Sequence, residues 1–380
     1  MPPVPQIESR SQDSQGLAGL TRSSFRSDLK PFLKEWIRLN WRDLLVMCFV
    51  AELSFFIYSA PITILRTFPI TFGGSGDIIY PEWAYPDRGW ILPSWEAGLI
   101  SIGVPILVYV VAQLRIRSVW DASNAIMGST WGLLLGTLFQ VVLKQLIGGF
   151  RPYFLDVCMP NVSLAETRNK TGLNGVGFLK VMYTTEICTQ PHKSKLQNAV
   201  TSFPSGHSTA AFAGFVFLFL WLNAKLKVWG DFRPAFWKLV LTMLPLLMAA
   251  TIAGSLTIDA AHNWYDIVGG SMIGTVMAVA SYRSSYAAIF DWRFNHVPLR
   301  ARESFAYDAD QARGPPAETM TGRAQWGQSR RWLDEQSAGA SSRNAFFSHY
   351  PGETRRGNAG KAPAEGGRAD EGPGVGDEAV

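Results

Sequence analysis

Six hydrophobic runs dominate this chain, and each approaches the length of about 20 apolar residues that a helix needs to cross a bilayer. They fall at roughly 44–64, 95–114, 124–146, 207–224, 238–257 and 267–287. The pattern predicts an all-α fold: a multi-pass membrane protein with six transmembrane helices in a bundle. Two runs are imperfect. The first contains Glu52, and the second contains Pro105, which a membrane helix tolerates as a kink. The fourth is short at its polar start. Gly128, Gly132 and Gly136 form a stripe of small residues in the third run, which reads as a site of close helix packing.

Composition looks ambiguous only because polar ends dilute the apolar middle. The chain is 47% hydrophobic and 17% charged, with 14 Trp and 23 Phe, yet its mean hydropathy is only +0.07. From about 300 onward Gly, Ala, Arg, Glu, Ser and Pro prevail without apolar periodicity. Such segments bury too little apolar surface to offset chain entropy. The expected organisation is a disordered tail over 1–27, a six-span domain over 28–295 and a second disordered tail over 296–380. Residues 1–30 lack an apolar core, so no cleavable signal peptide is expected, and the first run would itself direct insertion. The net charge of +5 is dispersed and accompanies no nucleic-acid motif, which fits a membrane surface and excludes nucleic acid as a partner.

Lys and Arg at the span ends set the orientation. Arg22, Arg26, Lys30, Lys34, Arg38 and Arg42 precede the first run, and Arg115 and Arg117 follow the second. Lys225, Lys227, Arg233 and Lys238 join the fourth to the fifth, and Arg283 and Arg293 close the sixth. All share one face, so both termini should be cytoplasmic and the connection 147–204 luminal or extracellular. That connection carries two glycosylation sequons, Asn161-Val-Ser and Asn169-Lys-Thr, and the cysteines Cys158 and Cys188, for which an oxidising compartment permits a disulfide.

Three polar stretches fall on that same face. The third run ends in KQLIGGFRP, where Lys144 and Arg151 lie seven residues, or two helical turns, apart. Gly148 and Gly149 favour a bend and Pro152 stops the helix. Taken alone, these are also what snorkelling interfacial cations look like. The fourth run opens with FPSGHS: Ser205 is a helix-start residue, and Gly206 lets a ligand approach the backbone. The first turn of a helix presents unpaired N–H groups suited to phosphate, and His207 adds a titratable group there. The third stretch, SLTIDAAHNWYD, spaces His262 and Asp266 at i, i+4. On a helix the carboxylate would fix the imidazole tautomer and raise the basicity of its other nitrogen, making a base or nucleophile. A capping aspartate beside an interfacial histidine is the structural alternative. Each stretch alone is ambiguous; together they put two cations, a helix N-terminus and a backed imidazole on one membrane face.

Lys144 with Arg151-Pro152, Pro204-Ser205-Gly206-His207, and His262 with Asp266 together resemble the three-part signature of the type 2 phosphatidic acid phosphatase (lipid phosphate phosphatase) superfamily, which also includes vanadium haloperoxidases. The stretch RTFPITF…DIIYPEWAYP is similar to the eukaryotic lipid phosphatase branch, and the resemblance covers about 40 to 290. It implies that Asp266 orients His262, that His262 attacks phosphorus to form a phosphohistidine, and that His207 protonates the leaving oxygen and then activates water. It further implies that Lys144, Arg151, Ser205 and the Gly206 N–H hold the phosphate oxygens, that no cofactor or metal is required, and that the partners are the bilayer and lipid phosphates such as phosphatidate, lysophosphatidate and diacylglycerol pyrophosphate.

One position departs from the pattern. The third part of the signature begins Ser-Arg, whereas this chain has Ser255-Leu256, and no Lys or Arg occurs between 239 and 282. Removing one transition-state donor costs about a hundred- to a thousandfold in rate. Two readings follow: an active phosphatase compensated elsewhere, or a catalytically impaired pseudophosphatase that binds lipid phosphates. A transporter, resting on the spans and Glu52, and a haloperoxidase are the competing classes.

Overall fold

The computed structural model describes residues 22–61, 66–70, 81–161, 164, 176–177, 182–231, 233–300, 304–305, 307 and 320, all within one compact unit. Most of both expected tails lies outside the described residues, as do the sequon at Asn169 and the last two positions of the sequon at Asn161.

Long helices form on all six hydrophobic runs: α1 (Arg22–Ser59), α2 (Ser94–Ile116), α3 (Val119–Ile147), α6 (Gly206–Leu226), α7 (Phe236–Ile258) and α8 (Trp264–Ser285). Two short helices, α4 (Phe154–Cys158) and α5 (Lys193–Ala199), lie between α3 and α6. The described strands are two residues each, β1 (Phe68–Pro69) and β2 (Met182–Tyr183), paired antiparallel with Phe68 opposite Tyr183. Of the long helices, α2, α3, α6 and α7 are long and apolar enough to cross a membrane, which makes this a helical integral membrane protein. α1 and α8 have the length, at 38 and 22 residues, but carry more polar side chains. The first run differs most from expectation: α1 starts 22 residues before it. Arg, Lys, Leu and Glu are good helix formers, so the helix continues beyond the apolar stretch. It stops just before Pro61, which disfavours the helical conformation of the residue ahead of it.

α6 is the central helix. Buried residues make up 89% of its spanning window, against 28–39% for the other three apolar helices, and it packs on α2, α3, α7 and α8. Close approach of α6 and α8 depends on Gly270 and Gly274, where a Cβ would collide with the carbonyl oxygens of Ser205 and Thr209. The stripe on α3 does what its spacing implied: Gly128 and Gly132 face Ser285 and Ser281 of α8, and Gly136 faces Thr209 and Ala213 of α6.

Three of the cations that join α6 to α7 are buried: Lys225, Lys227 and Lys238. Lys225 pairs with Asp121 at 2.5 Å, both fully buried, and donates to the His296 carbonyl at 3.0 Å. Tyr286 donates to Asp121 at 2.9 Å. Lys227 donates to Asn295 Oδ1 at 2.7 Å and to His296 Nδ1 at 2.9 Å. An ammonium leaves water only where a counter-charge and acceptors replace its hydration. Here they tie α3, α6 and the segment after α8 together. Asp121→Ala is expected to lower stability by about 3–5 kcal/mol, because it strands the Lys225 charge, and adding Lys225→Met should recover much of that loss. Thermal unfolding in detergent reads both variants; a single variant melting with the wild type would mean the pair is not structural.

The opposite end of the bundle is capped by the connections around β1, β2, α4 and α5. Phe68, Phe150, Phe154, Tyr183, Leu256 and Ala261 form its apolar cluster, and Cys158 and Cys188 are disulfide-bonded across it. Cys48, on α1, is exposed and free.

Candidate active site

The site lies where α3 ends and α6 and α8 begin. α3 finishes at Ile147 because Gly148 and Gly149 take φ of +63° and +115°, conformations that side-chain-bearing residues rarely adopt. Their carbonyls accept from Phe203 N and Ser202 N, each at 3.0 Å. This lays the turn holding Arg151 against the segment entering α6. α6 starts at Gly206, with Ser205 as N-cap accepting from Ser208 N at 3.4 Å. α8 starts after Asn263, and Asp266 closes a capping box: Asp266 Oδ2 accepts from Asn263 N at 2.9 Å.

The i, i+4 pair is therefore not on one helix. His262 precedes the α8 cap, whereas Asp266 sits in the first turn. The aspartate caps the helix and also lies 3.5 Å from His262 Nδ1. Between them stands Ser202, which the spacing did not reveal. Its hydroxyl donates to Asp266 Oδ2 at 2.5 Å and lies 3.4 Å from His262 Nδ1.

Arg151 settles the tautomer of His262. The guanidinium can only donate, and its Nη1 lies 3.1 Å from His262 Nε2. Nε2 must therefore accept, which puts the ring proton on Nδ1, facing Ser202 and Asp266. Burial, and then the charges of Arg151 and Lys144, hold this imidazole well below its usual pKa of 6.5. The ring is neutral near pH 7 and carries a lone pair on Nε2. Arg151 is itself fixed by Asn198, whose carbonyl and Oδ1 accept at 2.7 and 3.0 Å, and by the Ala261 carbonyl at 2.6 Å. Lys144 donates to the Thr201 carbonyl at 3.0 Å.

Lys144, Arg151, Gly206, His207 and His262 line one cavity of about 420 Å³. Ser205 and Asp266 do not line it: Ser205 is fully buried in its capping role, and Asp266 lies behind His262. Leu256 is also fully buried, in the apolar cap cluster. The charged cradle consequently has two cations. From the cup the cavity continues between α1, α2 and α3, along Ala51, Phe55, Gly98, Leu134 and Val141. Trp90, Asn198 and Thr201 also line it. Trp90 and Thr201 lie in connections and Asn198 on the short helix α5, with no local pattern to mark them, so only the folded chain identifies them. Among the described residues no group of three or more His, Cys, Asp or Glu gathers as a metal centre would require.

The cavity of this helical membrane protein joins two cations to a neutral imidazole, the groups that a phosphate-handling membrane enzyme requires. Residues 125–290 match the family described as the PAP2 superfamily. The chain is 30% identical over 216 residues to "Lipid phosphate phosphatase 2" of Arabidopsis thaliana, covering 57% of this chain and 69% of the relative. It is 32% identical over 191 residues to "Diacylglycerol pyrophosphate phosphatase 1" of Saccharomyces cerevisiae, covering 50% of this chain and 61% of that protein. A "Probable diacylglycerol pyrophosphate phosphatase 1" of Schizosaccharomyces pombe is 32% identical over 198 residues, covering 51% of this chain and 65% of the relative. No solved structure matches. The chain belongs to the PAP2 superfamily, the type 2 phosphatidic acid phosphatases, and is by that membership a phosphatase-type hydrolase.

Proposed function

We propose that this protein hydrolyses lipid phosphates through a phosphohistidine formed on His262. The reading rests above all on the single cavity shared by Lys144, Arg151, Gly206, His207 and His262. Nε2 of His262 attacks phosphorus and the bond to the lipid oxygen breaks, with His207 supplying the proton that the leaving alkoxide takes. His207 then removes a proton from water, whose oxygen attacks phosphorus and breaks the P–N bond, releasing inorganic phosphate and free His262. Lys144, Arg151 and the N–H at Gly206 carry the charge of the equatorial oxygens. Ser205 keeps that N-terminus in place rather than touching phosphate itself. Asp266 acts through Ser202 and the capping box to hold Nδ1–H, and its Oδ2, 3.5 Å from Nδ1, faces the positive charge that builds on the ring.

Lipid substrates fit because the cavity runs from the cup into apolar walls at membrane depth, where an acyl chain can stay out of water. The relatives named as lipid phosphate and diacylglycerol pyrophosphate phosphatases support the same class. In this reading α1 and α8 also span, giving six spans with both termini cytoplasmic and the cup at the outer face. The pseudophosphatase alternative rests on Leu256 alone, and the intact nucleophile, its proton holder and two cations weigh against it.

The test is phosphate release from short-chain phosphatidate and diacylglycerol pyrophosphate by detergent-purified protein with EDTA present. Turnover should survive the chelator, and a brief reaction with phosphorus-labelled substrate should leave an acid-labile, base-stable label on the protein. Wild-type release no greater than that of His262→Ala would overturn the proposal.

A further inference from the structure

The turn just before α2, Trp90 to Leu92, lies outside all three signature stretches yet engages the groups they supply. The Trp90 indole stacks on the His207 imidazole, with centroids 5.0 Å apart and planes 13° from parallel. It lies 5.0 Å from the Arg151 guanidinium and meets His262 edge-on at 6.4 Å. The Leu92 carbonyl is 3.0 Å from His207 Nε2. Asp259, buried at the α7–α8 turn, holds this segment: one carboxylate oxygen accepts from Ile91 N at 3.2 Å and the other from Ala261 N at 3.1 Å.

A carbonyl only accepts, so His207 Nε2 carries a proton and Nδ1 is the nitrogen left to exchange one with substrate. Stacking on the indole face fixes the plane of the imidazole. We propose that Trp90 and the Leu92 carbonyl, pinned by Asp259, form a positioning clamp that presents His207 as proton donor to the leaving oxygen. In the first step Nδ1–H passes its proton to the alkoxide as the P–O bond breaks. In the second step Nδ1 takes a proton back from the attacking water. Nε2–H stays on Leu92 throughout. Asp259 thereby couples the turn carrying the nucleophile to the segment that orients the acid.

The clamp rests on the phosphatase reading, and the test separates the two. Short-chain phosphatidate leaves as an alkoxide and needs the proton; p-nitrophenyl phosphate leaves as a stable phenolate and does not. In rapid-mixing experiments that follow leaving-group release in the first turnover, before the hydrolysis step that both substrates share, Trp90→Leu and Asp259→Asn should slow phosphatidate by about ten- to a hundredfold, with KM little changed, and leave p-nitrophenyl phosphate nearly as fast as wild type. His207→Ala should show the same selectivity more strongly, and Trp90→Phe should restore most of the phosphatidate rate. The ratio of the two rates within one variant does not depend on how much of it folds. Equal losses of first-turnover rate on both substrates, or a change in KM alone, would overturn the clamp while leaving the phosphatase reading intact. A wild type inactive on both substrates overturns that reading and the clamp with it.

Discussion

His262→Ala should reduce phosphate release to the uncatalysed background. Losses on the order of 10⁶-fold accompany removal of a nucleophile or its base in enzymes that pass through a covalent intermediate, and alanine leaves no atom to bond phosphorus. The pH profile offers an independent check. Protonation would consume the Nε2 lone pair, and burial beside Arg151 and Lys144 holds the imidazole pKa well below 6.5. A lowered pKa keeps the base free to lower pH, so the acid limb of kcat/KM should lie below pH 6.5 and not at it. Steady-state phosphate release across pH, with the variant as background, measures both effects. Residual turnover in the variant near the wild-type level would remove His262 from the chemistry.

Arg151→Lys should also be strongly damaging although charge is conserved. The guanidinium donates in three directions at once, to both oxygens of Asn198, to the Ala261 carbonyl and to His262 Nε2. An ammonium is a compact charge that cannot span this set. Two buried acceptors would lose partners, and the donor that sets the His262 tautomer would be gone. We expect kcat to fall by about a hundred- to a thousandfold and stability to fall by about 1–3 kcal/mol for each acceptor left unsatisfied. Kinetics and thermal unfolding on the same preparation separate the two effects. A kcat within fivefold of wild type would show that charge alone is needed at this position.

Much of the architecture was legible because long apolar runs have few solutions in a bilayer. Helices α2, α3, α6, α7 and α8 fall within a few residues of the runs at 95–114, 124–146, 207–224, 238–257 and 267–287. α1 did not, since its polar extension is helical through propensity and carries no apolar mark. Charge counting did not reveal the burial of Lys225, Lys227 and Lys238, because a lysine side chain reads the same in sequence whether it meets water or a buried aspartate.

The composition of the candidate site was visible in three short stretches, and its connections were not. Helix breakers at Gly148 and Gly149, a capping serine at 205 and an acid four residues after His262 are local features, governed by backbone geometry within one or two turns. Ser202 between His262 and Asp266, Asn198 beneath Arg151, and Trp90 over His207 are separated by 47 to 117 positions from the groups they serve. Such contacts arise only when the close approach of α6 and α8 at Gly270 and Gly274 and the burial of the cap cluster bring remote segments together. Chemistry-bearing residue types and span-length hydrophobicity were thus properties of the sequence itself; tautomer, proton direction and the walls of the cup were decided by tertiary packing, because each needs a partner that no local pattern encodes.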